Sequence, residues 1–266
     1  MSLGIAPSCS THQGGHLFAM RSGLARHGIG ADVVAPDTLM TADMAICWGW
    51  RKGAKYRSQG REVLVMERGY LGDRFAWTSL GWNGLNGRAQ WPDPRDDGER
   101  FERNFGHLRQ DWRRNDAGHA LIVGQVQGDA ALANTDIKRW YGQARRAMEG
   151  RGFKVVFRPH PESLKRGHDI GPLAPLTIGG TLAEALRDAA VAVTWNSNTG
   201  VEAVLAGVPT ITCDDGAMAR PVTAEGLDAE LVTPDRDDWC RRMAWRQWTM
   251  DEITSGEAWE AVKGAH

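Results

Sequence analysis

Apolar and polar positions alternate along two successive stretches of the chain. In the first, LGIAP (residues 3–7), ADVVAP (31–36), ADMAICW (42–48) and REVLVME (61–67) have the short, apolar, β-branched character of strands. Gly14-Gly15 opens a segment of helical spacing that runs to Ala25. The second stretch repeats the pattern with HALIVG (119–124), FKVVFRP (153–159), AVAVT (190–194) and PTITC (209–213). Helical segments at 135–149, 182–188 and VEAVLAG (201–207) separate them, the last stopped by Gly207 and Pro209. Strands alternating with helices predict an α/β fold with parallel sheets. Two such halves predict two Rossmann-like domains facing each other across a cleft, over residues 1–115 and 116–266, the second carrying C-terminal helices. A charged segment at 96–116 is the expected helical connection, and residues 68–94, rich in Gly, Trp and Asn, are expected to be a long loop. A loop of that length is usually functional or disordered, and its aromatic content speaks against disorder.

In open α/β sheets, ligands bind beyond the carboxyl ends of the strands. Three polar clusters of the second half fall at such ends: GQVQGD (124–129), RPHPE (158–162) and WNSNTG (195–200). If their strands are neighbours, the clusters converge, which singles out Gln125, Asp129, Arg158, His160, Asn196, Ser197, Asn198, Thr199 and Gly200 as candidate binding residues. A strand-to-helix turn offers unpaired N–H groups and a dipole that favour an anion. One helix needs only one capping residue, and four polar residues in a row exceed that need. Arg158 supplies a fork suited to phosphate oxygens, and Pro159 and Pro161 stiffen the backbone around His160. Capping a helix or pairing with a carboxylate are the ordinary roles open to Arg158 and His160. Glu202, in the first helical turn, complements the helix dipole or accepts hydrogen bonds from a ribose.

Charge is balanced, with 32 basic and 33 acidic side chains, so no global field selects nucleic acid or an anionic membrane. Cys9, Cys47, Cys213 and Cys240 lack the spacing of a zinc site or a redox pair, which fits reduced thiols in a cytoplasmic protein. No basic-then-apolar leader and no run of 18 apolar residues predicts export or membrane spanning. Among 12 Trp, those at 239, 245 and 248 are expected to pack. Trp77, Trp82 and Trp91 in the long loop are equally suited to stacking on a sugar or base.

RPHP, followed by a polar Asn/Ser turn and then VEAVLAGVPTI, resembles the donor-binding domain of capsule-polysaccharide and Kdo-type glycosyltransferases of the GT-B fold, over residues 119 to 215. That resemblance implies Arg158, His160, Ser197 and Thr199 around the donor's phosphates and Glu202 on its ribose. It implies a nucleotide-sugar donor as substrate, no separate cofactor, and a trimmed acceptor-side domain over 1–115, with Gly14-Gly15, His12 and His16 at its Gly-rich turn. ERGYLGDR (67–74) and SLGWNGLNGRA (79–89) also look like pieces of small phage or prophage relatives of that family.

Sugar transfer needs positive charge for the leaving nucleotide and a base for the acceptor's proton. Arg158 and the turn at 198–200 serve the first need without metal, since no acidic pair stands in a metal-binding position; Asp214-Asp215 is as well suited to capping. Glu67, Asp73 and His16 are the candidate bases. Glu67 beside Arg68 and Asp73 beside Arg74 also suit surface ion pairs worth about 0–1 kcal/mol. The acceptor is a carbohydrate or a modified nucleobase. Two other classes stay open: a non-catalytic nucleotide- or glycan-binding module, and a UDP-sugar epimerase-like enzyme.

Overall fold

Apolar runs buried on both faces pair as parallel strands, and the chain builds two sheets from them. A computed structural model describes residues 2–8, 10–34, 42–133 and 135–265, so Cys9 lies outside the described residues. Two units result, one of Met1–Phe105 with Asp237–His266 and the other of Gly106–Arg236.

The first unit contains β1 (Leu3–Ile5), α1 (Thr11–Arg26), β2 (Asp32–Val33), β3 (Met44–Trp48), α2 (Trp50–Arg57), β4 (Glu62–Arg68), β5 (Thr78–Trp82) and α3 (Glu99–Phe105). Its sheet runs β11-β5-β4-β3-β1-β2, where β11 is Gln247–Trp248. The pairs among β1 to β4 are parallel, and β5 is antiparallel to both β4 and β11. Every residue of β3 is buried, as its unbroken apolar run requires. The stretch 68–94 is therefore not one long loop. TSLGW pairs with β4, placing Thr78 opposite Arg68 and Ser79 opposite Glu67. Trp82 is wholly buried and donates from Nε1 to the Val262 carbonyl at 2.8 Å, so it is core rather than a stacking platform. Its glycines and polar neighbours hid that strand.

The second unit contains β6 (His119–Val123), α4 (Ile137–Gly150), β7 (Val155–Arg158), α5 (Pro161–Lys165), α6 (Leu182–Arg187), β8 (Ala189–Thr194), α7 (Thr199–Leu205), β9 (Thr210–Thr212) and β10 (Ala224–Glu225). The order is β10-β9-β8-β6-β7, every pair parallel. Side chains of α4, among them Trp140, Tyr141 and Met148, cover one face through Phe157, Val191 and Ile211. Ala203 of α7, with Val208, covers the other through Leu121, Val123 and Ala192. Gly207, at φ +73°, ends α7 in the left-handed conformation glycine tolerates, and a Cβ there would lie 2.0 Å from the Asp111 carbonyl oxygen.

Division at residue 115 does not describe the C-terminus. Asp237–His266 belongs to the first unit as α8 (Asp237–Ala244), β11, α9 (Met250–Ser255) and α10 (Glu257–Val262). Arg100 of α3 fixes this segment: it is 2% exposed and donates to the Ala244 and Gln247 carbonyls at 2.9 and 3.0 Å and to both Glu252 carboxylate oxygens. Trp239, Trp245 and Trp248 are buried as expected, but Trp248 lies in β11 rather than in a helix, and Trp245 and Trp248 pack into the core of the first unit. Of the expected connection at 96–116, only α3 is α-helical. Among the described residues, no helix is long and apolar enough to cross a membrane.

Candidate functional site

The order β9-β8-β6-β7 makes the three polar clusters of the second unit neighbours at one end of one sheet. Arg158 is the last residue of β7, opposite Val123 in the register of β6. Gly124 bonds the Arg158 carbonyl at 2.8 Å, and a Cβ on Gly124 would lie 2.9 Å from Phe157 Cζ and 3.0 Å from His160 N, so only glycine lets the two turns approach. The Arg158 guanidinium is half-buried. Its Nε is buried without an acceptor, and its Nη2 stands 3.5 Å from the Gly180 carbonyl, beyond the usual range for a hydrogen bond. No carboxylate pairs with it among the described residues. His160 is the N-cap of α5, its Nδ1 accepting the Glu162 N–H at 3.1 Å ahead of Pro161 at the first helical position.

Gln125 and Asn196 face each other rather than solvent. Gln125 Nε2 donates to Asn196 Oδ1 at 2.7 Å, and the Asn196 N–H returns a bond to Gln125 Oε1 at 3.0 Å. Asn196 Nδ2 donates to the Ala131 carbonyl and to Asp214 Oδ1, both at 2.7 Å. The Gln125 backbone is tied to Tyr141 and Ser163 through their hydroxyls. Tyr141, Ser163 and Asp214 are thus the supporting layer of the turns. Only Asp214 drew notice in the sequence, as a cap, and it does also bond the Gly216 N–H at 2.9 Å. Asp129 is exposed and caps a short 3-10 turn by accepting the Ala131 N–H at 2.8 Å.

The turn after β8 differs from a row of free N–H groups. Ser197 N bonds Thr194 Oγ1 at 3.0 Å, Thr199 N bonds Ser197 Oγ at 3.2 Å, and Gly200 N bonds the Ser197 carbonyl at 3.0 Å. α7 is only seven residues long, which limits its dipole. Ser197 and Thr199 still offer their hydroxyl hydrogens to a ligand. Gly200 packs its α-carbon near Thr194, where a Cβ would stand 3.2 Å from Cγ2. Glu202 is exposed in the first turn of α7, and Asn198 precedes that turn. Beside Trp195 lies a cavity of about 460 Å³ walled by Trp140 and Trp195, with Arg146, Asp228 and Cys213 on its lining. Burial pushes the Cys213 thiol up to about 11, so it stays protonated at neutral pH.

In the first unit, the polar groups also gather at strand ends. His16, on α1, is 5% exposed and sits 2.7 Å from Thr78 Oγ1 through Nδ1 and 3.3 Å from His12 Nε2 through its own Nε2. Burial, then the neighbouring His12 and Arg68, lower its pKa to about 4, so the ring is neutral at neutral pH. Glu67 is half-buried near the end of β4, and its Oε1 would lie 3.7 Å from a Cβ on Gly49. Asp73 is exposed and turns back to accept the Phe75 N–H at 2.9 Å, an Asx turn that fixes the corner between β4 and β5. His12, passed over as part of a Gly-rich turn, is the histidine of the pair that reaches the surface. Its spacing four residues before His16 on one helix was the available signal. No group of three or more His, Cys, Asp or Glu able to hold a metal occurs among the described residues.

No protein-family model matches the sequence, and a search of curated proteins finds no match. Two solved structures resemble this one along nearly the whole chain. The Thermosulfurimonas dismutans KpsC beta Kdo 2,7 transferase aligns with a TM-score of 0.58 at 14% identity, covering 97% of this chain and 98% of that one. The beta Kdo 2,4 transferase of KpsC from the same organism aligns with a TM-score of 0.56 at 15% identity, covering 96% and 98%. Likeness at such identities carries the fold: an α/β chain of two bodies, each on a largely parallel sheet, as in GT-B proteins.

Proposed function

We propose that this chain is a glycosyltransferase, moving a sugar from a nucleotide-activated donor to a hydroxyl of a glycan or a modified nucleobase, in the cytoplasm and without a metal ion. The observation that carries the proposal is Arg158: a half-buried guanidinium at a strand's carboxyl end, with no carboxylate partner and its Nε unsatisfied among the described residues. A buried donor left unmade costs about 1–3 kcal/mol, so at Arg158, as at Arg61, Arg113 and Arg246, an ordered water or a ligand supplies the acceptor. At Arg158 the place at a strand's carboxyl end favours the ligand. An anionic phosphate suits the fork. β8 lies two strand spacings from β7, about 10 Å. Over that span a diphosphate or phosphate-sugar linkage reaches from Arg158 to the hydroxyls of Ser197 and Thr199. In this reading Glu202 takes ribose hydroxyls, and the Trp-walled cavity beside Trp195 has the size of a small-ligand site. His160, Gln125, Asn196 and Asp129 shape the turns.

The likeness to two Kdo transferases supports the same reading at the level of the fold. Its test is release of nucleotide from UDP-, GDP-, dTDP- and CMP-sugars, with water or a panel of glycans and hydroxymethylated bases as acceptor. Release from one donor class supports transfer. Tight binding without release under any acceptor would make the chain a binding module, and isomerisation without an acceptor would make it an epimerase.

A further inference from the structure

We propose that the cavity beside Trp195 is a saccharide-binding site of the second unit, taking a neutral pyranose unit of a glycan. It is built without Arg158, so the site and the transferase reading are tested separately. The cavity opens between α4 and the chain that follows β10. Gly226, at φ +91°, turns the chain there, and its N–H is held by the Thr212 carbonyl at 2.9 Å. Leu227 and Ala229 then pack back on the core that α4 covers. Arg151, at the end of α4, donates to both of their carbonyls, at 3.2 and 3.0 Å, which ties the two lips of the cavity together. Its walls are Trp140, 3% exposed, and Trp195, half-buried, with rings 5.9 Å apart at 71°. Indoles set edge to face hold each other in place.

The rim carries the specificity. Gln143 and Arg146, one turn apart on α4, and Asp228 on the opposite lip are exposed. Cations next to Arg146 are engaged, Arg145 by Glu149 at 2.8 Å and Lys138 by Asp169. Arg146 and Asp228 form no ion pair among the described residues, either with each other or with a third group. Arg146 lies back along its own helix, where a Cβ on Gly142 would stand 3.4 Å from its Nη1. A guanidinium offers donors in pairs, a carboxylate acceptors in pairs, and an amide both kinds. Vicinal hydroxyls of a pyranose donate and accept, so they suit all three, while the C–H face of the ring buries apolar area on an indole. Opposite charges on one rim cancel, which disfavours a phosphate or another anion. The volume of about 460 Å³ falls within the range of small-ligand sites, about 300–1,000 Å³. β10 is the edge strand of its sheet, so no further strand of that sheet blocks a longer glycan on that side. A nucleobase is the other flat ligand for such walls, and the test separates the two.

The experiment titrates the full chain with trisaccharides of glucose, galactose, mannose, xylose and N-acetylglucosamine and follows the indole N–H signals in ¹H–¹⁵N spectra. The Trp195 signal is identified by its loss in Trp195→Phe. At least one trisaccharide is expected to shift that signal saturably. Asp228→Asn and Arg146→Gln, both on the exposed rim, should weaken the binding by about tenfold or more, as loss of one hydrogen bond to a charged group does, with the unfolding midpoint unchanged. Nucleotides and the nucleotide sugars named above should not displace the glycan. No shift by any trisaccharide, or binding at the parent affinity in both rim variants, overturns the proposal. A shift produced by nucleosides instead makes the cavity a base pocket, displacement by a nucleotide sugar makes it part of the donor site, and either result overturns the proposal as well. Glycan binding by a chain that binds no nucleotide sugar leaves this site standing and removes the transferase reading.

Discussion

Gln125 and Asn196 satisfy one another: the Gln125 amide donates to Asn196 Oδ1 at 2.7 Å and accepts the Asn196 N–H at 3.0 Å. The pair joins the ends of β6 and β8, and Asp214, bonded to Asn196 Nδ2 at 2.7 Å, extends it to the end of β9. A buried amide network of this kind stabilises the turns only while every member is paired.

Replacing Gln125 by Ala strands two buried groups of Asn196 and should destabilise the second unit by about 1–3 kcal/mol, the cost of a buried polar group left unmade. Denaturant unfolding measures it. Nucleotide affinity per folded molecule should change less than for Arg158→Ala. Weakened binding with unchanged stability would make Gln125 a direct ligand contact.

Arg100 and Glu252 form the ion pair that docks the C-terminal segment, 2% and 18% exposed at their side chains. Breaking such a pair from one side typically costs about 3–5 kcal/mol. Arg100→Ala should lose that much in unfolding and open residues 237–266 to limited proteolysis. A loss under 1 kcal/mol would show that Arg100 is dispensable to the docking.

Two of the groups that give stability a pH dependence, His16 and Glu252, act in separate windows. The folded pKa of His16 is about 4 against 6.5 for the free side chain, so the unfolded chain binds the extra proton first. The stability tied to neutral His16 is complete above pH 6.5 and drains as pH falls toward 4. Burial pushes Glu252 up, but bonds from Arg100 and Thr249 outweigh it and hold the carboxyl below its ordinary value. Its contribution is complete above the ordinary Glu range near 4.3 and is lost as pH falls through the lower folded value. Unfolding midpoints between pH 4.5 and 7 should therefore rise with pH in the parent and rise less steeply in His16→Gln, where His119, its pKa also lowered by burial, keeps part of the slope. An equal slope in both would remove His16 as the cause.

Much of this was legible in the sequence where one period ruled one segment. AVAVT and TIT are largely buried on both faces and KVVF alternates at the sheet edge, so all three could be read as strands, and the polar residues after them as strand ends. β5 escaped because TSLGW sits among glycines and asparagines, and its burial is decided by β4 and β11, distant in sequence. The C-terminal helices could be seen as amphipathic, but their docking on the first unit depends on Arg100, more than 140 residues from its partners. For the site, residue type announced Arg158 and the Ser197–Gly200 turn. It did not announce that Gln125 and Asn196 spend their hydrogen bonds on each other, or that His12, not His16, is the exposed ring, because both follow from side-chain direction.

Calorimetric titration of the parent and of Arg158→Ala with nucleotides and nucleotide sugars tests the central claim most directly. The parent should bind one nucleotide class, and Arg158→Ala should bind it more weakly by about 1.5–3 kcal/mol, the range for hydrogen bonds to charged groups, with unfolding unchanged. No binding by the folded parent, or equal affinity in the two proteins, would contradict a donor-phosphate site at Arg158.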